Sequence, residues 1–261
     1  MFIGHTLVNT ISKPSVQKQQ LDEEEEDEEE EPRNFTMKQL LYYDGKMDET
    51  LNELKPVYLS LNGTVFDVSK GRDFYGEGGP YEQFAGHECG VALAKMSFET
   101  THLDDIAGCE TLSYVEKDEL DGWISKFKYY RGYPIRGRLF ADSDLPDPNR
   151  IITEEELTKN NGEGETPEKY ATAPIYIGAG GKVYDMSFGG VEFYGKGCAY
   201  NLFAGKDASR ALALVSLDPK VAENPDISDL DEKKIKVLND WIKTFEEKKM
   251  YPIVGRLKKS E

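Results

Sequence analysis

The chain repeats itself once, and the repeat is a whole domain long. Tyr81 returns as Tyr200, Trp123 as Trp241 and Asp67 as Asp185, at separations of 119, 118 and 118 residues; Thr36 and Thr153 stand 117 apart. An offset so nearly constant along the full copy means duplication of a complete domain, not a solenoid of short units. At 261 residues the chain has room for two domains of about 100 residues each.

Each copy carries five landmarks in the same order. The first is a helix start, Thr36-Met-Lys-Gln39 or Thr153-Glu-Glu-Glu156, fitting a capping box in which a hydroxyl and an acid or amide satisfy free helix amides. Asp44-Gly45 and Asn161-Gly162 then stop the helix pattern with residues suited to left-handed backbone. The second is a hairpin, Val57 to Val68 around Asn62-Gly63 and Ile175 to Met186 around Gly180-Gly181. The third is a glycine-rich loop, FYGEGGPYEQFAG (Phe74 to Gly86), answered by FYGKGCAYNLFAG (Phe193 to Gly205). A helix follows, with Cys89, Ala92, Leu93 and Met96 on one face, matched by Ala208, Ala211, Leu212 and Val215. The fifth is a later helix presenting Leu120, Trp123, Ile124 and Phe127, or Leu238, Trp241, Ile242 and Phe245, before YPIRGRL or YPIVGRL closes the copy.

Charge narrows the function. The net charge is -17, and the uninterrupted run Asp22 to Glu31 contributes ten negative charges. Such a run repels itself and is expected to be a disordered solubilising tail. An acidic balance without basic clusters argues against nucleic acid as a partner. Cys89, Cys109 and Cys198 lack CxxC spacing and cannot all pair, which fits a reducing compartment. The opening residues lack a leader pattern, and no apolar run is long enough for a transmembrane helix, so membrane association is expected to be peripheral.

The repeated chemistry is phenolic. Tyr75, Tyr81 and Tyr133 recur as Tyr194, Tyr200 and Tyr251, whereas His5, His87 and His102 have no second-copy counterparts. A histidine role shared by both copies is thereby excluded, and no catalytic triad, phosphate loop or Cys/His metal spacing repeats. Two readings fit the loops. Tyrosine can ligate haem iron as phenolate, and glycine lets backbone approach a flat macrocycle. Equally, the rings can form a buried aromatic cluster with the glycines serving turns. Spacing leaves both open.

The order NGxVFDVxxGRxFYGxxGPYxxFAG, a helix, a tryptophan helix and YPxxGRL resembles the membrane-associated progesterone receptor family. Its carriers are Asn62-Gly63, Val65 to Val68, Gly71-Arg72, Phe74-Tyr75-Gly76, Gly79-Pro80-Tyr81 and Phe84-Ala85-Gly86 in the first copy. In the second they are Gly181 to Asp185, Phe193-Tyr194-Gly195, Tyr200, Phe203-Ala204-Gly205 and Lys206 to Arg210. The resemblance implies an α+β chain of two tandem cytochrome b5-like haem/steroid-binding domains. Residues 1–33 would be the acidic tail, 34–139 the first domain, 140–150 a Pro/Asp-rich linker and 151–258 the second domain. It further implies haem b, one or two per chain, with Tyr81 and Tyr200 as iron ligands. Tyr75 and Tyr194 would line the pocket, and Tyr133 and Tyr251 would lie near the cofactor. Sterols or other lipids, and haem enzymes such as cytochrome P450, are the further partners implied.

The copies depart from that pattern in places. The lysine expected before the late tyrosine is Gly132 or Met250, with Lys249 one place early; Cys198 and Ala199 replace Gly-Pro, and HECGV stands in the first copy where KDASR stands in the second. His87 is expected to be a half-exposed helix-start residue, Arg72 a solvated arginine, Cys198 a packing residue, and both tryptophans core. With no repeated distal acid or base, the expected function is non-enzymatic: a haem carrier, sensor or adapter in the cytoplasm or on endomembranes such as the endoplasmic reticulum. An iron-free sterol-binding module and a pure protein scaffold are the alternatives.

Overall fold

The computed structural model describes residues 31–258; the acidic run, apart from Glu31, lies outside the described residues. The first copy contributes β1 (Arg33–Thr36), a small ribbon of β2 (Met47–Asp48) and β3 (Glu53–Leu54), a hairpin of β4 (Tyr58–Leu61) and β5 (Thr64–Asp67), and β6 (Ile135–Phe140). The second contributes β7 (Ile151–Ile152), the hairpin β8 (Tyr176–Ala179) and β9 (Lys182–Asp185), β10 (Lys206–Asp207) and β11 (Ile253–Leu257). The main sheets run β1-β6-β5-β4 and β10-β8-β9-β11-β7. In each, the opening strand pairs parallel with the closing strand, which pairs antiparallel with the hairpin. Each copy therefore brings its two ends together on one sheet edge, as a duplicated unit must if it is to close on itself.

The hairpins form where the turn residues permit. Asn62 and Gly63 have φ of 49° and 73°, and Gly180 and Gly181 have 59° and 82°, the paired left-handed conformation of a type I′ turn. Side chains then alternate across the sheet. Leu59, Leu61 and Phe66 enter the large cluster beneath the loop and helices, while Tyr58 and Val65 join Phe35, Leu40 and Leu139 on the opposite face. With both faces covered, β4 and β8 are buried along their whole length.

The first helix of each copy is short, Met37–Leu40 or Glu154–Lys159. Thr36 and Gln39 form the full reciprocal capping box. Thr153 caps the Glu156 amide, but the Glu156 carboxylate instead pairs with Arg150 at 2.6 Å, so only half the expected box forms. The long helices, Tyr114–Ser125 and Glu232–Lys243, each run into a π-helical turn, Lys126–Tyr130 and Thr244–Lys248. That wider turn ends with the Tyr133 amide donating to Phe127 O and the Tyr251 amide to Phe245 O, at 3.1 and 2.9 Å, which folds each late tyrosine back under the helix into the core.

One expected helix face ends early. The helices Gly90–Ala94 and Ser209–Leu214 bury Ala92, Leu93, Ala211 and Leu212, but Met96 and Val215 are exposed. Both adopt positive φ, 47° and 49°, and the amides that follow reach back to Ala92 O and Ala211 O. This is a Schellman stop, which turns the chain out of the helix before the fourth apolar residue can reach the core.

The copies dock through β1 and the loop after β9. Asn34 is fully buried; its amide donates to Ser187 O and its Nδ2 to Ser187 Oγ, both at 2.9 Å, while its Oδ1 accepts from Ala171 N at 2.8 Å. Gln39 Nε2 donates to Phe188 O and Lys249 O. Phe140, the last residue of β6, meets Tyr170 and Phe188 edge-on, with centroids 4.7 and 5.2 Å away. Asn34→Ala removes the partner of the buried Ser187 hydroxyl and of the Ala171 amide. The expected loss is about 1–3 kcal/mol, read by calorimetry as a lower-melting, less concerted transition; an unchanged thermogram would refute it.

Candidate ligand-binding groove

Both glycine-rich loops fold by the same backbone hydrogen bonds. Gly76 N donates to Arg72 O, Tyr81 N to Phe74 O and Phe84 N to Tyr81 O; Gly195, Tyr200 and Phe203 repeat these onto Val191, Phe193 and Tyr200. Between them Gly78 and Gly197 turn the chain at φ of 77° and 80°, where a side chain would be strained. The outcome is that two tyrosines six residues apart become neighbours, with centroids 5.9 Å apart for Tyr75–Tyr81 and 5.8 Å for Tyr194–Tyr200.

The late tyrosine joins them through a second glycine. A Cβ at Gly71 would lie 2.3 Å from the Tyr133 hydroxyl and 3.3 Å from Tyr75 Cδ2; one at Gly190 would lie 3.0 Å from the Tyr251 hydroxyl and 2.9 Å from Tyr194 Cδ2. All three sequence-selected tyrosines of each copy are thus brought together, but at two depths. Tyr75, Tyr133, Tyr194 and Tyr251 are buried, whereas Tyr81 and Tyr200 are half-buried against the core. Burial pushes the phenols of the four buried tyrosines above the usual range, with neighbouring tyrosines adding to the effect for Tyr75, Tyr194 and Tyr251. They are neutral at physiological pH. Tyr251 turns its hydroxyl toward Gly189 O, 3.5 Å away.

In the second copy the groove encloses a cavity of about 140 Å³ whose wall includes Tyr194, Tyr200, Phe203, Leu212, Leu217 and Trp241. Val215 and Leu217, both part of its wall, are exposed. The lining is apolar except for the phenols, the indole and Ser216. A larger concavity of about 740 Å³ lies between Ile152, Leu157 and Leu257, away from the tyrosines, and has charged residues in its wall. Chemistry, not size, singles out the smaller one.

Several residues behave differently from expectation. Trp241 lines the cavity, and Trp123 is half-buried with Lys126 4.3 Å over its ring and its indole nitrogen buried without a partner among the described residues. Neither is a fully enclosed core residue. Arg72 is not solvated: it donates to Gly45 O and Lys55 O, clamping the segment ahead of β4 to the loop. His87, by contrast, is half-exposed as expected, and pairs with Asp104 at 2.8 Å. One corresponding pair of cations carries no motif of its own in the sequence. Arg131 lies 5.4 Å over Phe74 and Lys249 lies 4.9 Å over Phe193, at the common 118-residue offset. That offset is the signal that finds them.

Among the described residues, no cluster of His, Cys, Asp or Glu is arranged to hold a metal ion, and no helix is long and apolar enough to cross a membrane. The two copies thus share one fold and one arrangement of tyrosines, which in the second copy wall an apolar cavity. The model of the cytochrome b5-like haem/steroid-binding domain matches residues 46–133 and again 153–258, and the chain belongs to that family. It is 44% identical over 106 residues to probable steroid-binding protein 3 of Arabidopsis thaliana, covering 41% of this chain and 96% of that protein. It is 34% identical over 130 residues to membrane-associated progesterone receptor component 2 of Homo sapiens, covering 49% and 53% of the two chains. Identity to cytochrome P450 regulator dap1 of Schizosaccharomyces pombe is 32% over 134 residues, covering 49% and 76%. The chain thus spans about half the length of the human relative.

Proposed function

We propose that this chain binds haem b non-catalytically in its tyrosine groove and serves as a haem carrier, sensor or adapter for haem enzymes of the cytochrome P450 type. The observation that carries this reading is the half-buried Tyr200 in the wall of an otherwise mostly apolar cavity. A phenolate is a known axial donor to haem iron. The second domain contains no histidine at all, so paired imidazole ligation is impossible there.

The residues present fit a porphyrin. The neutral Tyr194 supplies a hydrogen-bond donor, Phe203, Leu212 and Trp241 offer apolar contact, and Lys249 stands above Phe193 as a cation for a ligand carboxylate. Tyr251 supports Tyr194 from beneath through Gly190. Tyr81, Tyr75, Tyr133 and Arg131 are the corresponding set in the first domain. At about 140 Å³ the enclosed space is smaller than a typical whole pocket of ~300–1,000 Å³, so a ligand would keep one side exposed. When bound, haem would supply a ferric centre that an anionic oxygen donor favours over the ferrous state, which disfavours electron relay. No distal acid–base pair repeats in the grooves, so the reading is a binding module. Peripheral attachment to endomembranes such as the endoplasmic reticulum follows from the same reading and from the membrane-associated relatives.

Haem titration tests it. The wild type is expected to give a high-spin ferric spectrum with a phenolate charge-transfer band, and Tyr81→Phe/Tyr200→Phe is expected to lose it. An unchanged band in the double variant would remove these residues as ligands. Saturable sterol binding with no Soret band would favour the iron-free alternative.

A further inference from the structure

We propose that the two grooves are not equivalent: Phe98 plugs the first, and the second is the one that admits ligand. For the identity of that ligand as haem the inference rests on the proposed function; for the plug itself it does not.

The backbone places residues 98 and 217 alike. Both follow a helix ended by a left-handed residue, Met96 or Val215, and both follow a serine whose amide reaches back five residues, Ser97 to Ala92 and Ser216 to Ala211, at 2.8 and 2.9 Å. What differs is the side chain. Phe98 lies nearly parallel to Tyr81 and to Phe84, with centroids 5.9 and 5.7 Å away and interplanar angles of 9° and 5°. The three rings form one aromatic face, and the Tyr81 phenol is part of it. In the second copy Tyr200 and Phe203 keep their mutual contact at 6.1 Å, but Leu217 replaces the third ring and forms part of the wall of the cavity.

A second difference holds the plug in position. Gln83 Nε2 donates to Phe98 O at 3.2 Å, tying the glycine-rich loop to the segment that carries the ring. The residue 119 places later is Leu202, which has no donor to make that bond. Ring and tether belong to the first copy alone: Phe98, itself 57% exposed, lies against the Tyr81 ring, while Tyr200 borders a cavity. Duplication would then have left one domain to bind and one, closed by its own side chain, to support it through the docked interface.

Two titrations of the full chain test this, one with haem and one with anilinonaphthalene sulfonate as an iron-independent apolar probe. The expected wild-type result is a single equivalent of each, with the haem signal abolished by the single change Tyr200→Phe. Phe98→Ala is expected to add a second equivalent whose haem signal now depends on Tyr81; Gln83→Leu, which only loosens the tether, should add it partially. Leu217→Phe is expected to weaken the original site by about tenfold or more, with circular dichroism showing the fold intact. Two equivalents of probe on the wild type, or one equivalent that survives Leu217→Phe unchanged, would overturn the plug. Probe behaviour as expected with no haem uptake by any variant would instead overturn the haem reading and leave the plug standing.

Discussion

Glu88→Ala is expected to destabilise the first domain by about 3–5 kcal/mol, the cost of removing one partner from a buried charge-and-donor network. The Glu88 carboxylate is fully buried and gathers four donors: Ser60 Oγ at 2.5 Å and Gly63 N at 3.0 Å on Oε2, Asn62 N at 2.9 Å and Gly90 N at 2.8 Å on Oε1. These donors come from the hairpin, its turn and the start of the next helix, so one side chain fastens three pieces that frame the glycine-rich loop. Burial pushes the carboxyl up and the four donors oppose it. Alanine leaves three amides and a hydroxyl facing a void; glutamine keeps the volume but turns one acceptor into a donor, and is expected to cost less. Urea unfolding followed by Trp123 emission in a Trp241→Phe background isolates this domain. A change below about 1 kcal/mol for the alanine variant would mean water replaces the carboxylate at little cost.

Much of this framework was legible in the sequence, and the reasons are local. Asn62-Gly63 and Gly180-Gly181 name their own turn because few residues accept that backbone. The tandem offset fixes every equivalent position. Glu88 was not legible, because HECGV reads as a departure from KDASR rather than as an alternative fastening. The second copy achieves part of the same result by relay: Asp207 holds Ser209, whose hydroxyl accepts from Gly180 N at 2.9 Å. Helix-face periodicity overran at Met96 and Val215 because a Schellman stop without glycine carries no sequence flag. The groove tyrosines were found as a set by repetition alone. Their division into buried and half-exposed members depends on Gly71 and Gly190, whose role appears only when the late tyrosine folds back beneath them. Contacts such as Phe98 on Tyr81, and Asn34 across the interface, depend on three-dimensional closeness that no periodicity encodes.

The offset also exposes a lost partner, and with it a pH dependence of stability. Asp67 accepts from Ser69 N and from Arg136, whose Nη2 lies 2.8 Å and Nε 3.2 Å from Oδ2. Its equivalent, Asp185, keeps amide donors from Ile175 and Ser187 on Oδ1, but Val254 stands where the arginine would be. Asp185 is fully buried, and its Oδ2 has no partner among the described residues. Burial pushes its carboxyl up to about 6, against the opposing donors from Ser187 and Ile175; Tyr170 and Tyr176 are the titratable neighbours it perturbs, with Arg150 near both of them. A carboxyl raised in the fold binds its proton more tightly than in the unfolded chain. Its contribution is therefore fully present below the unfolded value of about 4 and is lost as pH rises through about 6. A shift of roughly two units corresponds to about 3 kcal/mol as an upper figure. Asp185→Asn is accordingly expected to match the wild type near pH 4 and to exceed its stability by about 2–3 kcal/mol near pH 7.5, measured by denaturant unfolding with Trp241 emission. Because the Ser187 loop that donates to Asp185 also grips Asn34, this variant should lose part of its advantage when combined with Asn34→Ala. A variant equally destabilised at both pH values would show that the carboxylate is satisfied after all, and that Val254 replaced the arginine at no electrostatic cost.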